Sequence, residues 1–189
     1  AKVQEELLDK LRAAANAKIQ RTRPRPKPSV SWAKPVSKPV PVLAPVAAAG
    51  QGVALADIAI AIGSSTGGPR ALEEVVRRFP SNLAAGVLII QHMPAGFTRS
   101  MAERLDQIAQ VRVKEAEDKE PFNKGVVYIA PGGYHMTVAK DKTIRLDNSP
   151  PVNYVRPSID VTMFTLPALY SGKMVGVILT GMGKDGAEG

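Results

Sequence analysis

Ser65 stands at the centre of Gly63-Ser-Ser-Thr-Gly67, a G-x-S-x-G arrangement that can lift a serine hydroxyl above the end of a strand. A serine hydroxyl becomes a nucleophile only when an imidazole takes its proton. That imidazole in turn needs a carboxylate to fix its tautomer and stabilise its charged form. The chain has two histidines, so the candidate base is His92 or His135. His92 directly follows an apolar run, where a working residue on a rigid scaffold belongs. His135 falls in a hairpin-like region and reads as structural or peripheral. Asp185 is the candidate carboxylate, in Gly181-Met-Gly-Lys-Asp-Gly186 after the last apolar run. Asp-Gly is also a common turn pair, and an aspartate there can equally cap a following helix. Asp160 is a rival, but it lies in the first turn of an expected helix, where an acid suits the helix dipole. Glu115, Glu117, Asp118 and Glu120 read as a solvated polar loop.

The competing reading of the Ser65 turn is a glycine-rich corner that binds phosphate or simply packs. A P-loop ends in Gly-Lys-Ser/Thr, and this turn continues Gly68-Pro69-Arg70; a dinucleotide fingerprint needs glycine where Ser65 stands. Neither histidine has a neighbour at metal-ligand spacing, so no metal and no cofactor is expected.

The elements that must position these residues follow from periodicity. Ile58–Ile62 is continuously apolar, as a parallel strand covered on both faces should be. Pro69 then opens a helix in which Leu72, Val75, Val76 and Phe79 recur at helical spacing. Val87–Ile90 is a second strand, Thr98–Ile108 a helix with Met101, Leu105 and Ile108 inward, and Val111–Glu115 a third strand. Val126–Ala130, His135–Ala139 and Thr143–Leu146 are short runs between tight turns and read as an antiparallel insertion or edge. Ser158–Ser171 is a helix capped by Ser158, which Pro167 can kink or shorten. Met174–Thr180 reads as another buried strand. Strands alternating with helices predict an α/β fold: an open, doubly wound, mainly parallel sheet with helices on both faces and a small antiparallel hairpin insertion. In such sheets the working site lies beyond the carboxyl ends of the strands, which is where Ser65, His92 and Asp185 fall.

Charge divides the chain of 189 residues. Residues 1–51 carry ten Lys/Arg against three Asp/Glu; residues 52–189 carry fifteen against fourteen. The basicity belongs to the arm, and the near-neutral remainder argues against a nucleic-acid-binding domain. Residues 1–20 read as an amphipathic terminal helix and 21–52 as a basic proline-rich linker containing Trp32, the only tryptophan. No apolar run approaches the roughly 20 residues needed to span a bilayer, so no membrane insertion is expected, and the absence of cysteine suits a reducing cytoplasm.

Several blocks in order resemble one family: Ile62-Gly-Ser-Ser-Thr-Gly-Gly68, Gln91-His-Met-Pro-Ala-Gly-Phe-Thr98, Val113-Lys-Glu-Ala-Glu-Asp118, Tyr128-Ile-Ala-Pro-Gly132, Arg156-Pro-Ser-Ile-Asp160 and Leu179-Thr-Gly-Met-Gly-Lys-Asp-Gly186. Residues 58–189 are similar to the catalytic domain of the chemotaxis receptor methylesterases (CheB, protein-glutamate methylesterase/glutaminase). The resemblance implies a Ser–His–Asp triad on Ser65, His92 and Asp185, with Thr66 lining the site and the Met182 N–H helping to hold an oxyanion. The order Ser, His, Asp differs from that of the α/β-hydrolases, so the G-x-S-x-G match is convergent.

The family joins a receiver domain, controlled by a histidine kinase, through a linker to the esterase. Residues 2–20 resemble a receiver's closing helix. The expectation is therefore a piece of a longer protein, with residues 53–189 forming a C-terminally incomplete catalytic domain. The implied activity is cytoplasmic hydrolysis of glutamate γ-methyl esters on chemoreceptors, and deamidation of particular glutamines, for adaptation in chemotaxis. The rivals are a serine esterase or amidase for small molecules, and a non-enzymatic phosphate-binding module.

Overall fold

The computed structural model describes residues 54–189; the expected terminal helix, linker and Trp32 lie outside the described residues. Among the described residues seven strands and three helices follow in the order β1 (Ala59–Ser64), α1 (Gly68–Val76), β2 (Gly86–Gln91), α2 (Phe97–Ile108), β3 (Arg112–Glu115), β4 (Val126–Ile129), β5 (His135–Val138), β6 (Ile144–Asp147), α3 (Ile159–Thr165) and β7 (Met174–Ile178). Five strands form one parallel sheet in the order β3-β4-β2-β1-β7, while β5 and β6 pair antiparallel as a separate hairpin.

The sheet is buried on both faces because its central strands carry apolar side chains at odd and even positions alike. On β2, Val87 and Ile89 join Leu72, Val76, Met101 and Leu105 in a core beneath α1 and α2. Leu88 and Ile90 point the other way, into a core with Met136, Ile144, Ile159 and Met163 from the hairpin and α3. On β1 the second face is lined by Ala59 and Ala61, whose small side chains share that core with α3. Phe122 packs against Tyr128 and Tyr170 at its far end, with ring centroids 5.6 and 6.1 Å apart.

Two expectations need correction, those for Val126–Ile129 and β7, and the shortening expected from Pro167 is found. Val126–Ile129 is not part of an antiparallel insertion: β4 pairs parallel with both β2 and β3, and only β5 and β6 form the hairpin. Four-residue strands between turns look alike in sequence whichever sheet they join. The α3 helix ends at Thr165 rather than Ser171; Pro167 follows one residue after Leu166 at the C-cap, where a ring without an N–H stops the helix. Among the described residues β7 is not a buried strand: it lies at the sheet's edge, and Val175 and Ile178 are half exposed.

The topology fixes where a site can be. From β1 the chain runs through α1 to β2 on one side, whereas β7 arrives on the other side of β1 from α3. Helices α1 and α3 pack on opposite faces of the sheet, so the connections diverge between β1 and β7. A crevice opens at such a switch point, beyond the carboxyl ends of the strands.

Candidate active site

Ser65 follows β1 at once. Its backbone N–H donates to Thr180 O at 2.9 Å, and Leu179 N–H donates to Gly63 O at 2.9 Å, so the segment leaving β7 is bonded to the corner leaving β1. Gly67 lets the corner turn: at φ 80 it adopts a left-handed conformation that a side chain would strain, and it caps α1. Gly181 passes so close that an added Cβ would lie 2.9 Å from Ser65 Cβ, leaving the main chain to form that wall of the cleft.

Gln91, buried at the end of β2, joins the corner to the histidine. Its Oε1 accepts from Ser64 Oγ at 2.7 Å, while its Nε2 donates to Ser65 O at 2.9 Å and to His92 O at 3.1 Å. His92 N–H donates to Ser64 O at 3.0 Å. One amide thus holds the backbone on both sides of the candidate nucleophile–base pair. Sequence reasoning missed it; the only signal was a polar residue closing an apolar strand.

Asp185 lies against the N-terminus of α3. Its Oδ2 accepts from His92 Nε2 at 2.7 Å and from Ile159 N–H at 2.6 Å; its Oδ1 accepts from Ser158 Oγ at 2.6 Å and more distantly from Asn153 Nδ2 at 3.3 Å. The side chain is 3% exposed. Burial pushes this carboxyl up, but the hydrogen bonds from His92, Ser158, Ile159 and Asn153 outweigh it and hold it well below the usual aspartate range. An ionised Asp185 accepts only, so His92 Nε2 must carry the proton between them, leaving Nδ1 as the basic nitrogen.

Ser65, His92 and Asp185 line one cleft of about 90 Å³ together with Ile178, Gly181 and Met182. Ser65 Oγ makes no hydrogen bond among the described residues, so its hydroxyl is free to rotate. Met182 lies 79% exposed on the rim. Thr66 is exposed at the corner; its carbonyl accepts from Thr180 Oγ1 at 3.0 Å, and its side chain does not line the cleft. The backbone N–H groups of Thr66 and Met182 have no partner among the described residues.

The rival acid Asp160 turns away from His92. It accepts from Asn153 Nδ2 at 3.0 Å and from the N–H groups of Glu188 and Gly189 at 3.1 and 2.8 Å, fixing the segment that carries Asp185. The supposed solvated run is also bonded: Glu115 accepts from Thr98 Oγ1 at 2.6 Å, and Glu120 from Lys114 Nζ at 2.8 Å. His135 is fully buried and lies on the far side of Ser158 from Asp185.

An open parallel sheet with a serine, a histidine and an aspartate at its switch point defines a class of hydrolase-like α/β domain. The comparisons narrow it: the profile of the CheB methylesterase family matches residues 60–189, and the chain belongs to that family. A protein-glutamate methylesterase/protein-glutamine glutaminase of Halalkalibacterium halodurans is 42% identical over all of this chain and 51% of its own length. One from Archaeoglobus fulgidus is 52% identical over 70% of this chain and 39% of its own. The chain thus spans between about two fifths and one half of these relatives. The crystal structure of the Thermotoga maritima CheB methylesterase catalytic domain is 46% identical, covers 69% of this chain and 71% of its own, and superposes with a TM-score of 0.67. The expected fold, a parallel sheet with a small antiparallel hairpin, is the one found.

Proposed function

We propose that this chain carries the esterase of a chemoreceptor-modifying enzyme, with residues 53–189 as its catalytic domain. It would hydrolyse glutamate γ-methyl esters, and deamidate particular glutamines, on the cytoplasmic helices of chemoreceptors. The observation that carries this reading is the 2.7 Å hydrogen bond from His92 Nε2 to Asp185, in a cleft that Ser65 shares. Family membership supplies the substrate class.

In this mechanism Ser65 Oγ attacks the ester carbonyl carbon while His92 Nδ1 takes the hydroxyl proton. Asp185 holds the ring and balances its charge. The N–H groups of Thr66 and Met182, which have no other partner among the described residues, are assigned to the developing oxyanion, as the family resemblance implies. When the tetrahedral species collapses, the C–OCH₃ bond breaks, Nδ1 returns its proton and methanol leaves. A water then gives its proton to Nδ1 as its oxygen attacks the acyl carbon. The Ser65 ester bond breaks, the serine recovers the proton, and the glutamic acid released gives its remaining proton to solvent to become the carboxylate. A glutamine follows the same path with ammonia as leaving group. The exposed Tyr154, beside His92, and the exposed Met182 offer apolar contacts to a protein substrate at the rim. Control by a receiver domain and its histidine kinase, through the basic linker, completes the proposal. Among the described residues no helix is long and apolar enough to cross a membrane.

The test is methanol release from methylated chemoreceptor by the parent chain and by Ser65→Ala. Release by the parent that disappears in the variant supports the reading, and retained turnover in Ser65→Ala overturns the nucleophile. Faster turnover of p-nitrophenyl esters than of receptor would move the reading to a small-molecule esterase.

A further inference from the structure

His135 has no part in the chemistry above, yet it is fully buried and both ring nitrogens are committed. Nδ1 lies 3.2 Å from the backbone nitrogen of Ser158, and Nε2 lies 3.2 Å from Pro150 O. A backbone N–H only donates and a carbonyl only accepts, so one form of the ring satisfies both: neutral, with the proton on Nε2 and a lone pair on Nδ1. The residue that Nδ1 holds is the N-cap of α3. Ser158 Oγ donates to Asp185 Oδ1 at 2.6 Å, and the next N–H, that of Ile159, donates to Asp185 Oδ2 at 2.6 Å. Two of the donors that fix the candidate carboxylate therefore spring from a backbone that His135 anchors. Ser158 is itself fully buried, which leaves its N–H no solvent partner if the imidazole is removed. The loop before it is tied down by the same ring at Pro150 and by Arg156, which donates to Ser149 O at 2.6 Å.

We propose that His135 is a positioning residue of the active site, its Nδ1 lone pair setting Ser158 and Ile159 so that both donate to Asp185 and so aim His92. This rests on the Ser65–His92–Asp185 reading of the site. The bland alternative is a core histidine that only joins β5 to a loop, and it assigns the Pro150 contact the same weight as the Ser158 contact.

Two substitutions separate the contacts. In His135→Asn the side-chain Oδ1 falls near the place of Nδ1 and keeps an acceptor for Ser158. In His135→Gln the terminal amide falls near Nε2, keeping Pro150 and leaving Ser158 without an acceptor. His135→Gln is expected to lower kcat for methyl-ester hydrolysis about 10²-fold with KM nearly unchanged, the loss typical of a slightly misplaced catalytic group. His135→Asn should stay close to the parent. The same variants, labelled with ¹⁵N in the one imidazole each retains, give a readout independent of turnover: the downfield Nε2–H resonance of His92 should persist in His135→Asn and move upfield or vanish in His135→Gln.

Equal behaviour of the two variants, or an unchanged His92 signal in His135→Gln, overturns the proposal. Should neither variant fold, the imidazole of the parent still decides. An Nδ1–H tautomer at His135 overturns the proposal, and Nε2–H with an unprotonated Nδ1 supports it. Ser65→Ala measured alongside keeps the two readings apart: activity surviving there refutes the site, whereas activity lost there but kept in His135→Gln refutes only the role of His135.

Discussion

Two halves of the candidate active site are held by different means. Ser65 and His92 leave neighbouring strands whose side chains are buried along both faces, and Gln91 bonds the backbone on either side of them. Asp185 follows β7, the half-exposed edge strand, and is fixed by donors from the loop and first turn of α3. The first half is placed by the core of the sheet. The second is placed by hydrogen bonds to one carboxylate. Geometry at the first should therefore be bound up with folding stability, and geometry at the second with rate.

The strongest challenge to this contrast is Asp185→Asn. Replacing an ionised acceptor by an amide puts a donor against His92 and disturbs the tautomer that leaves Nδ1 basic. A loss of about 10⁴ in kcat is expected, by analogy with triads in other folds, while the sheet stays folded. Circular dichroism and methanol release on one preparation check both parts, and a fall of less than tenfold would deny Asp185 its role.

Gln91→Leu probes the other half. It leaves the Ser64 hydroxyl and the His92 carbonyl short of a partner, while the Ser65 carbonyl keeps the Gly68 N–H at 2.9 Å, an expected cost of about 1–3 kcal/mol read from the midpoint of urea unfolding. A variant as stable as its parent would show that the corner stands without this amide.

The smallest effect concerns acid. The folded Asp185 carboxyl is held below its usual range, so the unfolded chain takes up the proton first as pH falls. Its contribution to stability is complete above the ordinary aspartate range. It fades as pH drops through that range toward the depressed folded value. Unfolding midpoints of parent and Asp185→Asn should therefore converge as pH falls from 5 toward 2, roughly the span over which a salt-bridged aspartate titrates. Parallel curves would mean that Asp185 is not charged in the folded protein.

The contrast also explains what could be read in the residues. Ile58–Ile62 and Val87–Ile90 announced β1 and β2 because a strand covered on both faces has no polar alternation to hide it. The ends of those strands then led to Ser65 and His92. Val126–Ile129 reads as part of an antiparallel insertion or edge because nothing within its four residues states that its neighbours are β2 and β3. Edge position likewise escaped the apolar run Met174–Ile178. The contacts of Gln91 and His135 are not legible in the sequence for a shared reason, although His135 is a candidate base there and reads as structural or peripheral. The first binds the carbonyl of Ser65, 26 residues away, and the second the N–H of Ser158, 23 residues away, and only the fold brings them together. Ser158 was legible as a cap, which is a local property; its bond to Asp185 was not.

The hydrogen bond between His92 and Asp185 joins residues 93 apart in the chain, whereas the Gln91 bonds to the serine corner span 26 or 27. Closing the longer loop costs more chain entropy and needs β7 already lying beside β1. Assembly of the Ser65–His92–Asp185 arrangement is therefore expected late in folding. Activity regained during refolding would time the arrival of β7, not the first pairing of β1 with β2.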